Sequence, residues 1–327
     1  MTILVTGGAG YIGSVTVKAL LARGKRVVVV DNLTTGHAAA VPANLPFYSF
    51  NLCDTEALQK MMLAENVTAV VHFAAYSLVG ESVQNPAKYI ENNVGGSMSL
   101  LAAMKTAGVR HIVFSSTAAT YGEPEFIPLT EAHPTKPTNP YGMSKRFVEQ
   151  IMETYDAAYG LRFAALRYFN ACGAVPERGE DHKPESHLIP LILQVALGQR
   201  DAISVFGTNY PTPDGTCVRD YIHVADLAEA HLLALDYLAR EDKSIICNLG
   251  NGLGFSVREV IETCRTVTGK EIPAKEAPRR EGDPSRLIAN ATKARELLGW
   301  EPKRPHLKTI VEDAWAWHVQ KPNGYDS

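Results

Sequence analysis

Short runs of aliphatic and β-branched residues recur through the first half of the chain, each followed by a stretch of helical periodicity. Residues 3–5, 27–30, 69–73, 111–115 and 163–167 read as buried strands; 11–23, 55–63, 93–105 and 141–159 read as the helices between them. Strands separated by helices return by crossover connections, and crossovers build a parallel sheet covered on both faces. The expectation is an α/β protein with a doubly wound parallel sheet.

After about residue 170 the rhythm changes. Residues 173–184 are charged and rich in turn formers, and a second loop at 207–215 carries Pro211 and Pro213. Helical patterns cover 187–197, 224–238, 292–298 (stopped by Gly299) and 307–318, whose apolar positions 307, 310, 311, 314 and 317 share one face. Residues 245–249 read as a strand. These pieces suggest a smaller α/β lobe over 171–327, capping a first unit over 1–170 to which a segment at about 220–249 returns.

The charge balance is close to even, with 32 basic and 35 acidic residues and a net charge of −3, and no basic block stands out. That leaves out the electrostatic footprint of a nucleic-acid or anionic-membrane binder. No apolar stretch approaches the roughly 18 residues of a membrane span. Five scattered cysteines without a CxxC pair argue against a disulfide framework, and ten dispersed histidines without HExxH spacing argue against a metal site. Ile3-Leu4-Val5 runs into glycines without a basic leader, so the chain is expected to be cytoplasmic.

Gly7-Gly8-Ala9-Gly10-Tyr11-Ile12-Gly13 lies between the first strand and the first helix. A diphosphate approaches a helix N-terminus closely only where Cβ atoms are absent, and the free N–H groups there favour an anion. Asp31 closes the second strand 18 residues beyond Gly13, and no arginine follows among Asn32, Leu33 and Thr34. A carboxylate there accepts both ribose hydroxyls and repels a 2′-phosphate, which points to NAD rather than NADP in a Rossmann-type unit.

Tyr141 and Lys145 stand four residues apart, on one face of a helix. A phenol with a pKa near 10 needs a shift of about three units, roughly 4 kcal/mol, to act as a base at neutral pH. A positive charge about 4 Å away supplies around that much at an effective dielectric near 20. Lys145, together with a nicotinamide ring, is therefore expected to lower the pKa of Tyr141. The hydroxyl cluster Ser115-Ser116-Thr117 ends a preceding strand at the edge where such sheets bind ligands.

With these motifs the chain resembles the extended short-chain dehydrogenase/reductase family, in particular its UDP-hexose 4-epimerases. The resemblance rests on GGAGYIGS (7–14), VVDNL (29–33), HFAA (72–75), SSTAATYG (115–122), YGMSK (141–145), RYFNACGA (167–174), DGTCVRDYIHVADL (214–227) and APRREGD (277–283). It implies an isomerase that interconverts UDP-galactose and UDP-glucose, as in galactose metabolism. Hydride leaves C4 for NAD, the 4-keto sugar turns over, and hydride returns to the opposite face. Tyr141 is then the base, Lys145 its electrostatic partner and holder of the nicotinamide ribose, and Thr117 the partner of the 4-oxygen.

By the same resemblance, Gly7, Gly10, Tyr11, Ile12 and Gly13 cradle the cofactor diphosphate. Asp31, Asn32, Leu33, Thr34 and Gly36 surround its adenosine ribose, with Asn51 and Leu52 near the adenine. Phe73, Ala74, Ala75, Ser77, Asn92 and Phe169 complete the cofactor contacts, together with Tyr141 and Lys145. Asn51 stands where aspartate is frequent, and Ser77 where some members carry lysine. Asn170, His187, Leu188, Ser204, Val205 and Phe206 would meet the UDP-sugar. Arg219 and Arg280, with Asp283, would serve its diphosphate.

Ala118-Ala119 occupies the place of the acid pair of related dehydratases and cannot transfer a proton, which disfavours dehydration. Leu287 is intermediate in bulk at the position that governs N-acetylated sugars, leaving UDP-N-acetylglucosamine open; a UDP-uronic acid is a further alternative. A non-catalytic NAD-binding regulator would need neither Tyr141 nor Lys145. The family also implies a homodimer built on the helices at 93–105 and 141–159.

Overall fold

The computed structural model describes residues 1–280 and 283–326. In chain order the first part contains β1 (Thr2–Thr6), α1 (Tyr11–Ala22), β2 (Arg26–Val30), β3 (Phe47–Tyr48), α2 (Thr55–Ala64), β4 (Ala69–His72), α3 (Val79–Gln84), α4 (Pro86–Tyr89), α5 (Gly96–Ala107), β5 (His111–Thr117), α6 (Pro140–Tyr159) and β6 (Arg162–Tyr168). The second part contains β7 (Asn170–Cys172), α7 (Leu188–Ala196), β8 (Ile203–Phe206), β9 (Val218–Arg219), β10 (Tyr221–His223), α8 (Val224–Glu241), β11 (Ile245–Leu249), β12 (Phe255–Ser256), α9 (Val257–Thr268), β13 (Ala274–Ala277), β14 (Arg286–Leu287), α10 (Thr292–Leu298) and α11 (Leu307–Gln320).

Seven strands form one sheet in the order β11-β6-β5-β4-β1-β2-β3, every pair parallel. Side chains alternate between its faces: Ile3, Val5, Val27, Val29 and Val71 pack on one side with α1 and α8, while Leu4, Val28, Val30 and Val70 pack on the other with α2, α5 and α6. Strands buried on both faces carry no polar alternation, which is why they are legible as continuous apolar runs. The strand order reverses between β1 and β4, and the carboxyl ends of these two strands frame the crevice where such sheets bind ligands.

A second core gathers α7, α9 and α11 around β8, with Leu307, Ile310, Val311 and Ala314 buried in it. Two elements escape the sequence pattern. β3 is only two residues long, and α9 follows a turn-rich stretch. The signal for α9 is nevertheless present: Ser256 and Glu259 form a capping box, each side chain meeting the other's backbone N–H. The helix expected at 93–105 is divided in fact: a π-helical turn at Ile90–Gly95 precedes α5. Among the described residues no helix is long and apolar enough to cross a membrane.

One buried ion pair ties β5, β6 and α6 together. Glu149 of α6 accepts two bonds from Arg167 of β6 (2.9 and 2.6 Å) and one from the Ser116 hydroxyl of β5 (2.6 Å). Arg146 adds a contact at 3.2 Å from the helix surface. Removing one partner of a buried pair strands the other charge, so Glu149→Leu should destabilise the protein by about 3–5 kcal/mol. Thermal unfolding of this variant should show a clear drop in Tm, and adding Arg167→Met should restore much of it.

Candidate active site

The glycine turn is built for close approach. A Cβ on Gly13 would sit 2.1 Å from the Gly7 carbonyl oxygen, and one on Gly7 (φ +71°) would sit 2.6 Å from the Ala74 backbone nitrogen. The ends of β1 and β4 therefore touch at the switch point with no side chain between them. Gly10 caps α1 without a side-chain acceptor, so the N–H groups of its first turn are available to an anion. Tyr11 contributes backbone only: its hydroxyl is buried and donates to the Gly173 carbonyl at 2.5 Å.

Asp31 is buried beside this turn. Its carboxylate accepts the backbone N–H groups of Ala9 (3.0 Å) and Leu33 (2.8 Å), which oppose the upward push of burial on its pKa. The bond to Leu33 holds that residue at φ +58°. Gly36 packs against both Ala9 and Asp31; a Cβ there would approach each to 3.0 Å. A carboxylate offers about four acceptor sites, so two remain for a diol. The cradle, the uncapped helix and this carboxylate fit an adenine dinucleotide.

The flanking positions are less uniform. Asn32 is exposed and its side chain accepts the N–H of Thr34 (3.1 Å). The Asn51 carbonyl accepts the N–H of Cys53 (2.9 Å), so part of the acceptor capacity expected for adenine is already in use; Leu52 beside it is buried. Phe73 lies against the His231 ring with centroids 4.7 Å apart. Ala75 is half-buried and Ser77 exposed. Asn92 donates to Asn93, whose own side chain pins Tyr76 and Ser144, joining the loop after β4 to α6.

Tyr141, Lys145 and Thr117 come together through one short contact. Asn139 caps α6 by accepting the Gly142 N–H (2.8 Å), Pro140 occupies the first turn, and Gly142 lies directly on the Ala118–Thr120 turn. A Cβ on Gly142 would fall 2.3 Å from the Ala119 carbonyl oxygen. This approach sets Tyr141, in the first turn of the helix, beside Thr117 at the end of β5. The Thr117 hydroxyl also accepts the N–H of Ala119 (3.1 Å).

Lys145 is buried. Its Nζ donates to the Ser115 carbonyl (2.8 Å) and stands 4.8 Å from the centre of the Phe114 ring. Burial pushes its pKa down to about 7, against the pull of Glu149. The expectation for Tyr141 joined Lys145 to a nicotinamide ring; the protein's own groups act as follows. Burial holds its phenol above the usual value, and the hydrogen bond with Thr117, rather than Lys145, is what draws it back. Burial thus raises the phenol and, separately, lowers the ammonium.

On the opposite wall, Arg219 pairs with Asp283, and its other guanidinium nitrogen donates to the Val218 carbonyl (2.9 Å). Arg280 is exposed and stacks 4.0 Å over the Phe206 ring. Val205 points into the second core, and Ser204 is exposed. The Asn170 side chain donates to the Asp220 carbonyl (2.9 Å). Phe169 and Leu287 pack together on Ala118, Tyr121 and Leu129, next to the catalytic turn. Of the 277–283 motif, Glu281 and Gly282 lie outside the described residues.

Residues 3–250 match the NAD dependent epimerase/dehydratase family. The chain belongs to that family. A curated relative from Halalkalibacterium halodurans, a UDP-glucose 4-epimerase, is 56% identical over 329 residues, covering 100% of this chain and 98% of its own. A crystal structure of a UDP-glucose 4-epimerase covers 100% of both chains with a TM-score of 0.98 at 52% identity. The UDP-glucose 4-epimerase of Bifidobacterium longum in complex with NAD+ and UDP has a TM-score of 0.93 at 38% identity, covering 99% of this chain and 100% of its own.

Two groups of residues in this family member escape the motif reading. The first is the Glu149–Arg167 pair: Arg167 ends a strand that reads as buried, but nothing in the order of the residues names Glu149 as its buried partner. The second corrects the expectation that histidines are dispersed: Glu180, His182, Glu185 and His187 converge within 4.8 Å of one another. His187 is thus engaged with Glu180 and Glu185 (2.7 and 3.1 Å), while Leu188 begins α7. The alternation E-x-H-x-x-E-x-H was the available signal.

The burial of Lys145 carries a cost that is testable in nucleotide-stripped protein. Its folded pKa of about 7 lies below the ordinary lysine value of 10.5, so below pH 7 the penalty is complete, and it is relieved as pH rises towards 10. Lys145→Met should therefore raise Tm at pH 6.5, with the gain over wild type shrinking by pH 9 in parallel melts.

Proposed function

We propose that this protein interconverts UDP-galactose and UDP-glucose as an NAD-dependent 4-epimerase. The observation that carries the reading is the Tyr141–Lys145 face of α6, held beside Thr117 on the same sheet edge as the glycine cradle and Asp31. The family assignment and the ligands named for the Bifidobacterium longum relative support it.

Gly7, Gly10 and Gly13 with the first turn of α1 would hold the cofactor diphosphate, and Asp31 its adenosine ribose. Bound NAD supplies the oxidising equivalent that takes hydrogen from C4 and gives it back. Tyr141 removes and returns the proton of the 4-hydroxyl, with Thr117 sharing a hydrogen bond to the same oxygen. Lys145 steadies the phenolate and orients the nicotinamide ribose. The neutral Ala118-Ala119 pair offers no acid for elimination, so the keto sugar has only the route of return.

We assign residues 1–170, with about 220–249, to the cofactor unit, and the remainder of 171–327 to the UDP-sugar lobe. β11 lies in the main sheet beside β6, in keeping with this division. Arg219 would exchange Asp283 for the substrate diphosphate, joined by Arg280; guanidinium groups suit this anion through bidentate bonds. Leu287, packed with Phe169 beside the catalytic turn, leaves room to test UDP-N-acetylglucosamine as a second substrate.

Proton NMR of purified protein with UDP-galactose and no added NAD tests the central claim. UDP-glucose should accumulate in the wild-type tube, and Tyr141→Phe should lower the rate by roughly 10²–10⁴-fold. No conversion by wild type, even after NAD is added, overturns the reading; conversion of UDP-N-acetylglucosamine alone would reassign the sugar.

We further propose a cytoplasmic homodimer joined through α5 and α6. What supports this is exposed apolar surface on those helices: Met98 on α5, and Met143 and Phe147 on α6. Met143 and Phe147 lie four residues apart on one face of α6, and an exposed apolar face of this kind suits a partner surface. Phe147→Glu should shift size-exclusion elution from dimer to monomer; a wild-type monomer rejects the interface.

A further inference from the structure

The loop from 179 to 187, between β7 and α7, holds four potential ligands that take no part in the Tyr141–Lys145–Thr117 group; one of them, His187, is also an expected UDP-sugar contact. His187 Nδ1 is 2.7 Å from Glu180 Oε1 and 3.1 Å from Glu185 Oε1. His182 Nδ1 is 3.2 Å from Glu180 Oε1 and 3.7 Å from Glu185 Oε2. Tetrahedral zinc with nitrogen and oxygen ligands at about 2.0–2.2 Å sets neighbouring donors about 3.3–3.6 Å apart. The separations of 2.7 to 3.7 Å bracket that spacing, and one ligand atom from each residue lies within 4.8 Å of the others.

A second observation points the same way. His182 Nδ1 is buried and makes no hydrogen bond of acceptable geometry, although it lies between two carboxylates. The side chains of Glu180 and Glu185 are each 5% exposed, His182 25% and His187 45%, so only one flank is open to solvent. In the ion-free site the carboxylates hold both imidazoles above their ordinary pKa, so ligation would displace their protons and leave a charge of −2 that a divalent cation balances.

The loop is also held in place before any ion arrives. Trp317 Nε1 donates to the Glu180 carbonyl (3.2 Å), His37 Nε2 meets the Asp181 carbonyl (3.0 Å), and the N–H groups of Ser186 and His187 bond to Glu185 (2.7 and 2.8 Å). His182 meets the ring of Tyr11 edge-on, with centroids 6.3 Å apart. Preorganised donors lose little entropy on binding.

We propose that Glu180, His182, Glu185 and His187 form a structural Zn2+ site that fastens the 179–187 loop. Two imidazoles with two carboxylates suit zinc, and a set of four protein ligands leaves no position for a substrate, so the ion's role is structural. Its consequence is mechanical: the ion ties the start of α7 to the loop that rests on Tyr11 and α11.

The test uses tag-free full-length protein, treated with chelator and dialysed. Titration with Zn2+ by calorimetry should show one equivalent bound, and Tm should rise with zinc. Co2+ in place of zinc should give the intense visible absorption of four-coordinate cobalt without a thiolate charge-transfer band. His182→Gln and Glu185→Gln should each weaken zinc binding at least about tenfold, while Cys53→Ser leaves it unchanged. Substoichiometric zinc, a six-coordinate cobalt spectrum, or variants that bind as wild type overturn the site. Far-UV circular dichroism of the variants separates lost ligation from lost folding, and the zinc-dependent Tm shift of wild type stands without any variant.

Discussion

Glu149 on α6 takes both nitrogens of the Arg167 fork from β6 and the Ser116 hydroxyl from β5, and the catalytic constellation hangs on this arrangement. A buried ion pair adds little net stability over an apolar core, because desolvation consumes most of the Coulomb gain. What it does here is set one register. α6 cannot slide or rotate on the sheet without stranding a charge, and so Lys145, one turn earlier, is held under Ser115. Gly142 then closes the remaining distance to Ala119, and Tyr141 arrives beside Thr117.

The same burial that orders the site works against its resting electrostatics. Desolvation raises the phenol of Tyr141 and lowers the ammonium of Lys145, so the two groups are pushed away from the charged pair that the proposed proton transfer would use. A cationic cofactor ring would draw the phenol pKa down, while repelling the Lys145 ammonium rather than restoring it. Functional sites commonly concentrate groups whose environment opposes their useful ionisation state.

The nucleotide end relies on missing atoms rather than on added ones. Gly7 and Gly13 let the strand ends and the helix meet, and Asp31 keeps acceptor capacity free after satisfying Ala9 and Leu33. Just beyond, the 179–187 loop gathers its two histidines and two glutamates against Tyr11, so the fold places a second polar cluster behind the cofactor cradle without sharing a donor with it.

Local pattern carried much of this protein. The apolar runs of β1, β2 and β4, the glycine turn, Asp31, and the four-residue spacing of Tyr141 and Lys145 are properties of neighbours in the chain, because period and turn chemistry act over a few residues. α9 was legible in its capping box, whereas a two-residue strand such as β3 leaves no periodicity to read. Tertiary structure alone decided that Glu149 and Arg167 are buried together, that Gly142 meets Ala119, that Arg219 pairs with Asp283, and that desolvation outweighs Lys145 at the Tyr141 phenol. Each depends on which segments lie across the sheet and how much water they exclude, and neither distance nor dielectric is written in the order of the residues.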